Sequence, residues 1–151
     1  MANRVETKLT EELLPLLKQE HYINVATVDH ETGGANVNAV SWVYATDENT
    51  VRFAVDKRSR IVENIRKQPL VTLSLIGAGS TYSIAGKAFV AEEKLEGVPL
   101  KLALLEIKID EVRDVMFYGS RITSEPKYEK TYDKEAADKL DRQVMEAIKK
   151  A

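Results

Sequence analysis

Lys57, Arg58, Ser59 and Arg60 place three cations and a hydroxyl in four consecutive positions. They stand where a strand ending in Phe53-Ala54-Val55-Asp56 gives way to a short helix over residues 61–67, which Pro69 stops. Backbone N–H groups point out of a helix N-terminus and its dipole favours negative charge, so such a turn suits an anion. A phosphate-bearing small molecule is the natural occupant. The plainer reading is a Ser N-cap followed by a solvated Arg. If Arg60 does bond an anion, its loss costs about 1.5–3 kcal/mol, or about tenfold to a hundredfold in affinity.

The other reactive residue types offer less. There is no cysteine, so neither a disulfide nor a thiolate metal site can form, which fits a reducing cytoplasm. His30 sits between Asp29 and Glu31 in a turn too tight for all three to reach one ion, and no metal is expected. His21 reads as a boundary residue, and Trp42 and Tyr82 as packing aromatics. Nucleophilic and nucleotide-triphosphate motifs are absent, and Gly77-Ala78-Gly79 precedes a strand and not a helix. Tyr118-Gly119-Ser120-Arg121 reads as a plain loop. With 22 Lys and Arg against 24 Asp and Glu, the chain lacks the basic footprint of a nucleic-acid binder. No apolar run approaches the length that crosses a bilayer, and the polar N-terminus argues against a secretory signal.

The elements that position these residues follow from hydrophobic periodicity. The length of 151 residues predicts one domain. Thr10 starts a helix with Leu13, Leu14 and Leu17 on one face, although Pro15 disturbs its first turn. Residues 22–29 and 36–46 form a β-hairpin about the turn at 30–34. Residues 51–56 alternate most cleanly, and residues 70–76 and 81–91 alternate again. Gly86, inside the last of these, marks a bulge or a close backbone approach. Residues 100–109 make a further strand that residues 112–118 continue or follow, and Asp133 caps a closing amphipathic helix. Six or seven strands joined by hairpin-length turns predict a mainly β fold, an antiparallel sheet closing toward a barrel with flanking helices.

The ordered set 23–29, 36–44 and 51–56, then Ser59-Arg60, Gln68-Pro69-Leu70-Val71-Thr72-Leu73 and Tyr82-Ser83-Ile84-Ala85-Gly86-Lys87-Ala88, resembles the pyridoxamine 5′-phosphate oxidase-like split-barrel flavoproteins. The likeness covers roughly residues 20–92, and the C-terminal part looks like the small bacterial general-stress branch. The resemblance implies a six- to seven-stranded, Greek-key-like FMN-binding split β-barrel and a homodimer holding FMN between its subunits. Carried over, Ser59 and Arg60 hold the phosphate and Val55 lines the approach. Asn38, Ala39, Val40 and Ser41 lie beside the isoalloxazine through backbone groups, and Thr81 and Tyr82 approach from the other subunit.

Two departures limit the inference. The family often has a Lys directly after the Arg, where this chain has Ile61, so Lys57 or Arg58 compensates or the phosphate is held less tightly. True pyridoxamine phosphate oxidases also carry an Arg- and His-containing C-terminal segment, whereas His21 and His30 both lie upstream here. The substrate is therefore a different, unidentified small molecule. A flavin-dependent oxidoreductase is the leading expectation. A flavin-binding or sensing protein without turnover is the alternative, because no residue stands out as a general acid or base. A split barrel using deazaflavin or haem is the third, with scarce His weighing against haem.

Overall fold

The computed structural model describes residues 5–151. Eight strands and two helices form among them: β1 Val5–Glu6, β2 Ile23–Val28, β3 Ala35–Val40, β4 Val43–Asp47, β5 Thr50–Asp56, α1 Arg60–Lys67, β6 Leu70–Gly77, β7 Ser80–Glu92, β8 Leu102–Asp114 and α2 Lys134–Lys150. The sheet runs β3-β2-β6-β7-β8-β5-β4 with every pair antiparallel, and β1 adds to β8.

β3 and β4 follow one another in the chain yet stand at opposite ends of this order. Only Ser41 and Trp42 join them. The sheet therefore curls into a barrel that is split beside β3. Residues 36–46, expected as one strand, break at this joint because the chain stops pairing with β2 and starts pairing with β5. The Ser41 carbonyl accepts from the Val43 and His21 amides at 3.0 and 3.1 Å, and Trp42 accepts from Ala54 at 3.0 Å.

The alternation read in the sequence fills the barrel with Val25, Phe53, Leu73, Ile84, Leu105 and Ile107, all fully buried. Ile61, Val62 and Ile65 of α1 join the same core. A second apolar cluster lies outside the barrel wall, where Val144 and Ile148 of α2 pack on Ala54 and Leu104, with Trp42 against them. Asp133 caps α2 by accepting from the Ala136 amide at 2.9 Å.

One further element departs from the sequence reading. No α-helix forms after Thr10; a single 3₁₀ turn, Pro15–Leu17, takes its place. Pro15 lacks an N–H and its ring would clash with the carbonyl four residues back, so the segment instead inserts Leu9, Leu13 and Leu17 into the barrel. Of the two readings of residues 100–118, continuation holds: β8 runs unbroken from Leu102 and ends at Asp114. Its register with β7 shifts between Ala85 and Gly86, where a Cβ on Gly86 would lie 2.2 Å from the Lys108 carbonyl oxygen. Gly86 therefore marks both a bulge and a close approach.

Candidate functional site

The split begins at β3. This strand is at the end of the sheet order, so one row of its backbone N–H and C=O groups has no strand beside it. Ala35, Val37, Asn38 and Ala39 are all exposed. Asn38 pairs with Val25 across the ladder, but it lies beyond the barrel wall and is not covered as Val25 is. β2, β3 and β6 contain not one Asp, Glu, Lys or Arg. On their outer surface, Val37, Ala26, Thr72 and Ala85 make one cross-strand row, and Ala39, Asn24, Ser74 and Ser83 the next.

On the other side of the joint from β3 stand the end of β5 and the turn beyond it. The bond from the Ala54 amide to the Trp42 carbonyl sets Ser41 level with Val55. From Val55 the chain passes through Asp56, Lys57 and Arg58 to Ser59, whose Oγ accepts from the Ile61 amide at 3.2 Å and caps α1. Asp56 closes the turn, because its carboxylate accepts from the Arg58 amide at 2.7 Å and from the Arg58 guanidinium at 3.3 Å. Those bonds, the Arg58 side chain first, lower the Asp56 pKa.

α1 then bridges the split. Arg60, Asn64 and Lys67 share the helix face turned to the β2–β3 hairpin. Arg60 donates to Asp29 at 2.8 Å, and Lys67 to the His30 carbonyl at 2.8 Å. Asn64, fully buried, accepts from the His30 amide and ring Nδ1, each at 2.8 Å, and donates to Thr27 Oγ1 at 2.9 Å and Asn36 at 2.8 Å. Asp29 also accepts from the amides of Glu31 and Thr32. Bonds from Thr32 and Glu31, then the Arg60 charge, outweigh burial and hold its carboxyl down to about 2.

The expected site residues thus fall in two stretches, Asn38, Ala39, Val40 and Ser41 along the edge strand and its joint, and Val55, Lys57, Arg58, Ser59 and Arg60 from the end of β5 into α1, with Val55 itself buried in the barrel core. The cations of the turn differ in state. Arg58 is tied to Asp56 and Arg60 to Asp29, while Lys57 is exposed. Thr81 and Tyr82 stand apart, at the start of β7, three strands from β3 in the sheet order. That separation is about 14 Å across the ladder. Tyr82 faces another cleft, of about 560 Å³, with Leu9, Leu14 and Val112.

Sequence reasoning missed Asn64, Asp29 and His30 as parts of this architecture. The signal was present for Asn64 alone, an amide four residues after Arg60 and on the buried stripe of an otherwise amphipathic helix. No group of three or more His, Cys, Asp or Glu residues suited to a metal occurs among the described residues.

An antiparallel barrel opened at one edge strand, with a basic helix start across the opening, defines the split-barrel class. The chain belongs to the pyridoxamine 5′-phosphate oxidase family, whose model matches residues 9–116. Among solved structures, HupZ of Group A Streptococcus is 16% identical with a TM-score of 0.59, covering 77% of this chain and 99% of its own. An F420 reductase is 20% identical with a TM-score of 0.55, covering 65% and 93%. General Stress Protein 26 of Bacillus anthracis str. Sterne is 13% identical with a TM-score of 0.54, covering 65% and 86%. No curated protein sequence matches the chain. No helix among the described residues is long and apolar enough to cross a membrane.

Proposed function

We propose that this protein binds FMN in the groove beside β3, as a homodimer, and is a flavin-dependent oxidoreductase acting on a small molecule. The observation that carries this reading is the exposed, uncharged edge strand standing opposite a basic helix start. An isoalloxazine is a flat ring with alternating hydrogen-bond donors and acceptors along one rim. The outward row of backbone groups along Asn38, Ala39 and Val40, with Ser41 at the joint, would meet that rim, and Val55, only 8% exposed, would lie beneath it as an apolar floor. Lys57, Arg58, Ser59 and Arg60 would hold the phosphate, with Arg60 exchanging Asp29 for it. FMN, once bound, supplies hydride or electron transfer, and the protein's share is position and electrostatics.

The uncharged face supports the second copy. Edge strands are ordinarily guarded by charge, and Val37 and Leu70 here are 64% and 50% exposed without any such guard on β2, β3 or β6. Thr81 and Tyr82 lie too far along the sheet to reach their own chain's groove, so a second copy would have to bring them.

The test is the visible absorption spectrum of the freshly purified protein, with mass spectrometry of whatever heat releases. A yellow protein yielding FMN near one per subunit supports the reading, and NADH or NADPH oxidation above that of free flavin then separates an enzyme from a binding protein. A colourless protein that also fails to take up added FMN overturns it. The same mass spectrum identifies a deazaflavin, the alternative ring suggested by the F420 reductase that shares this fold.

A further inference from the structure

Four side chains from four separate segments meet outside the groove. Lys130 Nζ donates to Glu20 at 2.7 Å and lies 3.2 Å from Asp141 Oδ1, the same oxygen that accepts from Trp42 Nε1 at 2.9 Å. The ammonium also stands 5.9 Å from the centroid of the Trp42 ring and 5.7 Å from that of Tyr128, which in turn packs on Tyr22. The Lys130, Glu20 and Asp141 side chains are only 24%, 21% and 16% exposed. Burial works against the charged lysine, yet its bonds to Glu20 and Asp141 raise its pKa.

Partly buried charges such as these are modest adhesives, since desolvation offsets much of their attraction. Their better-attested use is to specify one geometry. Here the geometry is that of the two-residue joint between β3 and β4. Glu20 precedes His21, whose amide donates to the Ser41 carbonyl, and Asp141 holds the ring of Trp42. One ammonium thereby grips both flanks of the joint, and it is carried on the irregular segment 115–133, which crosses from the end of β8 to the start of α2.

We propose that Lys130 is a positioning residue that latches segment 115–133 over the Ser41-Trp42 joint and fixes the spacing between Ser41 and Val55. The latch itself stands on the contacts above. Its consequence for cofactor affinity rests on the FMN reading.

The experiment compares wild type with Lys130→Met and Lys130→Arg. Trp42 is the sole tryptophan, so its emission reports the joint directly. In Lys130→Met the emission should move to longer wavelength. The His21 and Val43 amides should exchange hydrogen about tenfold faster or more, with the β6–β7 amides unchanged. FMN and riboflavin should both bind about tenfold more weakly, because the joint touches the ring and not the phosphate. Lys130→Arg should restore all three readouts. A folded Lys130→Met with unchanged emission and unchanged joint amides overturns the latch. A loosened joint with undiminished FMN and riboflavin affinity overturns its positioning role. Wild type that takes up no flavin sinks the FMN reading alone, since emission and exchange still decide the latch. Should Lys130→Met fail to fold, Glu20→Gln keeps the acceptor, removes the charge, and must show the same changes in emission and exchange.

Discussion

Arg60 reaches back from the first turn of α1 to Asp29, 2.8 Å away at the end of the β2–β3 hairpin's first strand. The cation expected to meet a phosphate thus already has a carboxylate, on a side chain that is still 53% exposed. An incoming anion must compete with that carboxylate, and the competition is measurable. Asp29→Asn keeps the oxygen that accepts from Glu31 and Thr32 and turns an amide toward Arg60, freeing the guanidinium. FMN should bind several-fold more tightly to Asp29→Asn and about tenfold more weakly to Arg60→Ala. Riboflavin, which lacks the phosphate, should bind both variants as it binds wild type. Flavin fluorescence titration checks all four affinities.

The same carboxylate governs behaviour in acid. Asp29 ionises near 2 in the folded chain, against an ordinary value of about 4 when unfolded. A group whose folded pKa is depressed stabilises the fold above the unfolded value and gives that contribution up as pH falls toward the folded one. Thermal midpoints should therefore decline between about pH 4 and about pH 2. Asp29→Asn should decline less steeply over that interval, as a melting series in buffers of equal ionic strength would show.

Asn64→Ala would strand the His30 amide and ring on one side and Thr27 and Asn36 on the other. Each buried group left without a partner costs about 1–3 kcal/mol. A total loss of about 2–4 kcal/mol in urea unfolding is expected, with hydrogen exchange rising first in the β2–β3 hairpin.

Gly86→Ala forces a methyl group against the Lys108 carbonyl oxygen and the Ile107 side chain, at 2.2 and 2.9 Å before any adjustment. Both belong to the most heavily paired part of the sheet, between β7 and β8. A destabilisation of about 2–3 kcal/mol by chemical denaturation is expected, since backbone cannot yield as a flexible side chain does.

Thr72→Lys introduces a charge at the centre of the uncharged outer face, between Ala26 and Ala85. Light scattering should show the mass fall from twice the 17.0 kDa chain to once, with the circular dichroism of the sheet unchanged. A wild-type chain that is itself monomeric would remove the homodimer from the functional reading.

Much of the fold was legible because alternation is a local signal. Val51, Phe53 and Val55 announce a buried face by themselves, and Ser59 and Asp133 announce the two helix starts. What stayed hidden depends on distant partners. Nothing near Trp42 shows that the strand must break there, because the break is imposed by β2 on one side and β5 on the other. In the same way Lys57, Arg58 and Arg60 read as three cations, while two of the carboxylates that claim them, Asp29 and Asp56, become visible as partners only once the hairpin and the turn are folded.

The bond between Trp42 and Asp141 spans 99 positions. During synthesis the β2–β3 hairpin and α1 can therefore form from what has already emerged, but the bond that holds Trp42 at the joint waits for the whole sheet and the first half of α2 to leave the ribosome. Until then the nascent chain carries an uncharged surface beside an unsecured joint, the kind of exposed state in which chaperones recognise their clients. Trp42 fluorescence would mark the end of that vulnerable interval.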